Sequence, residues 1–255
     1  MDLSTINKIS LLQVALEKTD SFSAEFGSQI QNIVNDHKVN GGHLEYAYVE
    51  HFHKEIIGLS KLFQYLLKDD FNQKYVFFAV RGSLEVIIYL EYVLRLAKED
   101  GNKVLELLSR DMAQIGAAID AAIPPKEEHS MHKTLKAVGI VNKILKTGFD
   151  LTKIKSNTRV FPSIKDLCDK SSLNLKDLKG ADIYHIYALY SESNHLRLGN
   201  QHAITDDVDL LTCWASEYFL EIYIKFYEQL IDTKIFPDKY ANDLATIKQS
   251  VGMNW

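Results

Sequence analysis

The sequence predicts an all-α protein, a multi-helix bundle in which each helix buries an apolar stripe on its neighbours. Three observations predict it. Apolar residues recur at spacings of three and four along most of the chain, and no segment alternates with period two. Four prolines and twelve glycines in 255 residues are too few for an all-β chain, which turns roughly every 8 to 12 residues. Hydrophobic residues at 46% and charged residues at 25% are the balance of a packed chain rather than a disordered one.

Residues 3 to 37 read as one or two helices through Ile6, Ile9, Leu12, Leu16, Phe26, Ile30 and Ile33, ended by Asn40-Gly41-Gly42. A second helix runs from about His43 to Leu67, and Asp69-Asp70 introduces a third from Phe71 to Lys98. Asp100-Gly101-Asn102 is the next turn, before an alanine-rich helix that ends at Ala122. Pro124-Pro125 is the firmest break, because neither proline can continue a helix. His129 to Phe149 is helical and basic, and 150–161 is irregular. Phe161-Pro162-Ser163 opens a short helix, Ile164 to Cys168, with Ser163 as N-cap and Asp166 at its third position. Asp182 to His195 is helical and a polar loop with Gly199-Asn200 follows. Asp206-Asp207 caps a long aromatic helix to Ile231, and a last helix spans Asp238 to Val251. Such amphipathic stripes are covered by antiparallel packing in a bundle. The expected organisation is a single helical domain over 1–255, with a sub-boundary near 123–128.

The net charge of -5 argues against a broad DNA- or RNA-binding surface, which needs a basic excess. A local patch remains open, since Lys133 to Arg159 is net positive. Cys168 and Cys213 make no disulfide framework or CxxC pair, and read as small buried hydrophobes. The start, MDLSTINKIS, has neither the basic residues nor the apolar run of a signal peptide. Val76 to Ala97 has the length of a membrane span but carries Arg81, Glu85, Glu91 and Arg95, which makes it a core helix. No membrane partner and a cytoplasmic location are expected.

Two segments concentrate polar residues where burial is costly. Arg81 and Glu85, four apart, share a face of an apolar helix and can pair there. Tyr184, Tyr187, Ser191 and His195 also fall on one helical face. A tyrosine–serine–histidine line of this kind makes either a buried hydrogen-bond network or a proton-transfer site.

The helix with Arg81 and Glu85, followed by Tyr187, Ser191 and His195 in a Tyr-x-x-x-Ser-x-x-x-His helix, resembles a family of helical proteins from bacteria and mobile elements. The resemblance covers about residues 70 to 205 and includes the short helix that Phe161 opens. It implies a fold without an assigned activity, and an accessory or interaction role in a bacterial or mobile-element, defence-like system, with a protein partner or RNA. That family is distantly similar to the HEPN superfamily, whose nucleases cut RNA without metal through an Arg-x(4–6)-His motif at a dimer interface. In the ribonuclease alternative this similarity implies, His195 acts with Arg81 or Arg197, and Tyr187, Ser191 and Glu85 complete the candidate polar cluster. The chain departs from the motif: position 190 is tyrosine, and the literal Arg-x4-His, Arg197 to His202, spans Gly199-Asn200.

A third alternative is a di-iron carboxylate bundle. Glu50 with His53 and Glu192 with His195 are both Glu-x-x-His pairs, and Glu85 with Glu217 or Glu221 would supply the remaining carboxylates. The leading expectation is that no cofactor is held. His37, His43, His129 and His132 lie near helix ends, where exposure or the macrodipole accounts for them. The face with Trp214, Tyr218, Phe219, Tyr223, Phe226 and Tyr227 is expected to be core or the interface of a homodimer.

Overall fold

The computed structural model describes residues 3–40, 44–68, 75–122, 154–175, 178–194 and 208–250 of the chain. Among them lie eight helices and one two-stranded sheet. In order these are α1 (Leu3–Asn40), α2 (Tyr46–Leu66), α3 (Val76–Glu99), α4 (Gly101–Ala122), α5 (Ile164–Cys168), β1 (Asn174–Leu175), β2 (Leu178–Lys179), α6 (Ala181–Asn194), α7 (Val208–Ile231) and α8 (Lys239–Ser250). The mostly helical fold follows the apolar spacing. None of these helices is long and apolar enough to cross a membrane.

The first 38 helical residues form one continuous helix, not two, and α5 spans the residues its proline and cap predict. The hairpin was not expected. Asn174 pairs with Lys179 and Leu175 with Leu178, and strands of two residues cannot display an alternation. The basic stretch 129–149, Pro124-Pro125, the sub-boundary near 123–128, His43, His129, His132 and the side chains of His37 and Cys213 lie outside what the structure describes.

The chain divides into two compact units: Met1–Gly41, Tyr46–Tyr92 and Ile164–Trp255 form the first, and Gly42–Glu45 with Val93–Ser163 the second. In the first unit the aromatic residues of α7 organise the core. Phe63 of α2 stacks on Phe219 at 4.3 Å, while His53, further back along α2, packs on Phe226 and Tyr227 farther along α7. Phe26 of α1 stacks on Phe236 at 4.2 Å and meets Tyr227 and Tyr240 edge-on, each at 5.0 Å. These rings are almost entirely excluded from water. Large flat side chains in offset and edge-on contact bury much area while matching ring quadrupoles.

A chain of buried hydroxyls threads this core, while the buried Tyr240 Oη has no partner. Tyr227 Oη donates to Tyr223 Oη at 3.5 Å, Tyr223 bonds Ser23 Oγ, and Ser23 Oγ donates to the Thr19 carbonyl at 2.7 Å. Burial is the largest influence on both tyrosines and pushes their phenols upward, so they remain protonated donors.

Two left-handed residues punctuate the unit. Gly180, at φ +50°, leads the hairpin into α6, and its carbonyl accepts from Tyr184 N at 3.2 Å. Lys234, at φ +62°, closes the end of α7, where its amide donates to the Ile231 carbonyl at 3.0 Å. That position usually belongs to glycine, because a Cβ crowds the backbone there.

In the second unit, Asp100 separates α3 from α4 in a single residue. Its carboxylate accepts from Asn102 N at 2.9 Å and its carbonyl from Lys103 N at 3.0 Å, the work of an N-cap. Val104, Leu107 and Ala113 form the buried stripe of α4. Gln114 Nε2 reaches the Ser156 carbonyl at 3.2 Å, tying the irregular segment to the helix.

Candidate functional site

Arg81 and Glu85 emerge from the same face of α3, and each side chain is about one-third exposed (35% and 33%). Arg81 Nη2 donates to Glu85 Oε1 at 3.1 Å and to Tyr187 Oη of α6 at 3.1 Å. Tyr187 Oη in turn donates to the same carboxylate oxygen at 2.7 Å. The guanidinium carbon also lies 5.4 Å from the Tyr187 ring centroid, within cation–π range. Nearby, Phe77 stacks on Tyr190 at 5.2 Å and Tyr184 on Tyr187 at 6.2 Å. The first contact fixes the placement of α6 on α3, and the second lies within α6.

Burial works against the Arg81 charge, but the bonds to Tyr187 and Glu85 and the charge of Glu85 outweigh it and hold the guanidinium above its ordinary value. The cluster therefore stays an ion pair bridged by a phenol. Three of the expected polar residues thus meet: Arg81, Glu85 and Tyr187. Ser191 follows one turn after Tyr187 on the same face, and its Oγ is buried without a partner, as is Arg81 Nε. His195 and Arg197 lie outside the described residues, as does the side chain of Glu192.

The residues weighed as metal ligands point to separate surroundings. Glu50 pairs with Lys54 at 2.6 Å on the outside of α2, and Glu85 belongs to the arginine cluster. His53 is 6% exposed and faces α1 and α7. Burial pushes its imidazole down to about 4, opposed by a hydrogen bond to the Ser23 main chain and assisted by Lys54. Among the described residues, no three His, Cys, Asp or Glu side chains are grouped to hold a metal ion. Cys168 is fully buried, and burial pushes its thiol up to about 11, with Asp169 and Glu91 adding to the effect. It packs as the hydrophobe the sequence suggests.

One polar cluster was not anticipated. Ser172 donates to Glu91 Oε1 from both its amide and its hydroxyl, each at 2.6 Å, and Ser171 Oγ donates to Oε2. The sequence presents Glu91 only as a charge on an apolar helix, and no local pattern links it to serines 80 positions away. A cavity of about 260 Å³ lies elsewhere, between α7 and α8, lined by Glu228, Ile231, Leu244 and Lys248 among others. Of its lining charges, Glu228 and Lys248 are paired at 2.7 Å, and Lys225 also lies 2.7 Å from Glu228. No protein-family model, curated protein or solved structure matches this chain.

Proposed function

We propose that this protein is a helical-bundle interaction component in which Arg81, Glu85 and Tyr187 fasten α6 to α3 instead of acting on a substrate. The observation that supports it is the closure of the cluster. Both acceptor contacts of Arg81 Nη2 come from the protein's own carboxylate and phenol, and no cluster residue lines the cavity at α8. An arginine held by a carboxylate must lose that partner before it can neutralise a phosphate. The finer architecture, an antiparallel HEPN-like core, belongs to the same proposal. It draws support from the opposite run of the α2 and α7 contacts, Phe63 on Phe219 and His53 on Phe226. Membership in a bacterial or mobile-element, defence-like system rests on the Arg-x-x-x-Glu and Tyr-x-x-x-Ser-x-x-x-His helices.

The second reading is metal-independent RNA cleavage with His195 as acid or base. It is favoured by the buried, unpartnered Arg81 Nε and Ser191 Oγ, which leave polar capacity on the face that leads along α6 toward His195. The experiment that separates the two is incubation of the full chain with single-stranded and structured RNA in the presence of chelator. Under the interaction reading the protein leaves RNA intact. Cleavage that disappears in His195→Ala, with the circular dichroism unchanged, would overturn it in favour of the nuclease.

A further inference from the structure

Three helices close on one imidazole. His53 of α2 is 6% exposed, with the Phe226 and Tyr227 rings of α7 at 6.1 and 5.9 Å. α1 covers another side of it. A Cβ on Gly27 would lie 2.6 Å from Cε1, 3.3 Å from Nδ1 and 3.5 Å from Nε2, so the α1 backbone itself seals the ring. The imidazole hydrogen-bonds the Ser23 main chain, and because that bond favours the charged ring, the ring is its donor. Nε2 is buried and has no partner, which leaves Nδ1 to make the bond.

This site suits one protonation state. A neutral imidazole spends its single N–H on Ser23 and keeps a lone pair at Nε2, whereas a second proton makes Nε2 a donor as well. The new N–H would face no acceptor among the described residues, and a buried donor left unmade is costly. The charge fares no better. Besides burial and Ser23, the influence on the ring is Lys54, of its own sign. On α2, Glu50 is taken up by Lys54. On α1, Glu25 pairs with Lys239, and Asp20 acts on the Tyr223 and Tyr227 phenols. On α7, Tyr227 stays protonated, Glu221 acts on Tyr218, and Glu228 is held by Lys225 and Lys248. None of these carboxylates is among the influences on His53.

A charged ring would have to reach water, and the helices differ in how readily they give way. α7 is the central one: from Phe219 to Tyr227 every residue except Lys225 is buried. α1 is peripheral and turns Glu17, Lys18, Ala24, Glu25 and Ser28 to solvent. The seam between α2 and α7 is also closed at a distance from the imidazole, where Phe63 stacks on Phe219 at 4.3 Å, ten residues or roughly 15 Å further along α2.

We infer that α1 is an acid-sensitive lid over His53: a second proton on the imidazole lifts the Ser23–Ile30 stretch of α1 off α2 and α7, while the Phe63–Phe219 seam stays shut. Burial holds the covered ring down to about 4, against 6.5 for a ring in water. The open form therefore binds the proton that the closed form refuses, and opening is favoured as pH falls from 6.5 to 4 and is constant below. Between pH 7.5 and pH 5 the opening equilibrium should rise about 30-fold. The Arg81 cluster takes no part in this device, so neither outcome of the RNA experiment bears on it.

The test is amide hydrogen exchange of the full chain at pH 7.5 and pH 5, with rates corrected for the intrinsic pH dependence of exchange. Amides from Ser23 to Ile30 should open about 30-fold more often at pH 5, and those around Phe63 and Phe219 should hold their protection. His53→Leu has nothing to titrate and should abolish the rise. If that variant fails to fold, His53→Gln, which keeps a donor for Ser23, takes its place. A rise of equal size at Phe63 and Phe219 overturns the lid, because the whole unit is then unfolding. No rise on α1, or a rise that survives the substitution at His53, overturns it as well.

Discussion

The Tyr187 hydroxyl and the Glu85 carboxylate share a 2.7 Å hydrogen bond that joins α6 to α3 across 102 positions of sequence. Arg81 completes the contact from one turn before Glu85. The phenol thereby bridges an ion pair that would otherwise be an ordinary intrahelical one, worth only tenths of a kcal/mol at this exposure. Tyr187→Phe keeps the ring packing and removes the bridge. It should cost about 1 kcal/mol in urea unfolding. A double-mutant cycle with Arg81→Met should return a coupling of similar size. A coupling of zero would mean that the three groups only happen to lie together.

His53 sets an acid limit on stability. In the fold its imidazole is held neutral down to about pH 4, against an ordinary value of 6.5. Between those values the unfolded chain binds the proton that the folded chain refuses, so stability falls as pH drops from 6.5 toward 4 and this contribution is flat below that. The full swing is roughly 3 kcal/mol. Urea midpoints measured across this window should decline more steeply for the wild type than for His53→Leu, which has nothing to titrate there. Parallel curves would contradict the assignment.

Local chemistry was legible in the sequence and distant pairing was not. The helix limits at Asp100, Pro162 and Ile231 follow from caps, prolines and apolar spacing, all of which act within a turn or two. The shared face of Arg81 and Glu85 and that of Tyr187 and Ser191 follow from helical periodicity in the same way. Their meeting, by contrast, depends on how α6 docks on α3, which Phe77 and Tyr190 decide by stacking. Ser23 with Tyr223 and Glu91 with Ser172 are separated by 200 and 81 positions. No spacing rule reaches that far. The Glu-x-x-His pattern at Glu50 and His53 shows the converse error, because a helical turn aligns two residues without saying that one faces Lys54 and the other faces α1.

Gly27 is the small residue that lets α1 approach His53. A Cβ built there lies 2.6 Å from His53 Cε1, closer than real contacts allow, and the imidazole is enclosed by Phe226 and Tyr227. Gly27→Ala gains helix propensity of about 1 kcal/mol but must displace a buried ring, at about 1–3 kcal/mol. The net expectation is destabilisation, and Gly27→Ala combined with His53→Ala should recover part of it. A stabilised single variant would show that the ring yields freely.

Lys234 offers the opposite case, a substitution toward glycine that should help. Its left-handed backbone costs a residue with a Cβ about 1 kcal/mol, and its side chain is exposed. Lys234→Gly relieves that strain while leaving the Ile231 carbonyl bond in place. A rise of about 1 kcal/mol in unfolding free energy is expected from chemical denaturation. A loss would place the Lys234 side chain in an interaction that outweighs the backbone strain.

Glu91 governs the segment that leads from α5 into the hairpin. Its two oxygens collect the Ser171 hydroxyl and the Ser172 amide and hydroxyl, and Ser171 Oγ also accepts from Leu173 N at 3.0 Å. Leu173 and Leu175, both buried, are anchored just beyond. Hydrogen bonds to an ionised acceptor are the stronger kind, so Glu91→Ala should cost about 2–3 kcal/mol. Glu91→Gln, which keeps an acceptor but loses the charge, should cost less. Because the apolar anchors survive, the loss should be local. Amide exchange at Ser172 and Leu173 should speed up well before that of α7, and uniform acceleration across the unit would show instead that Glu91 supports the whole fold.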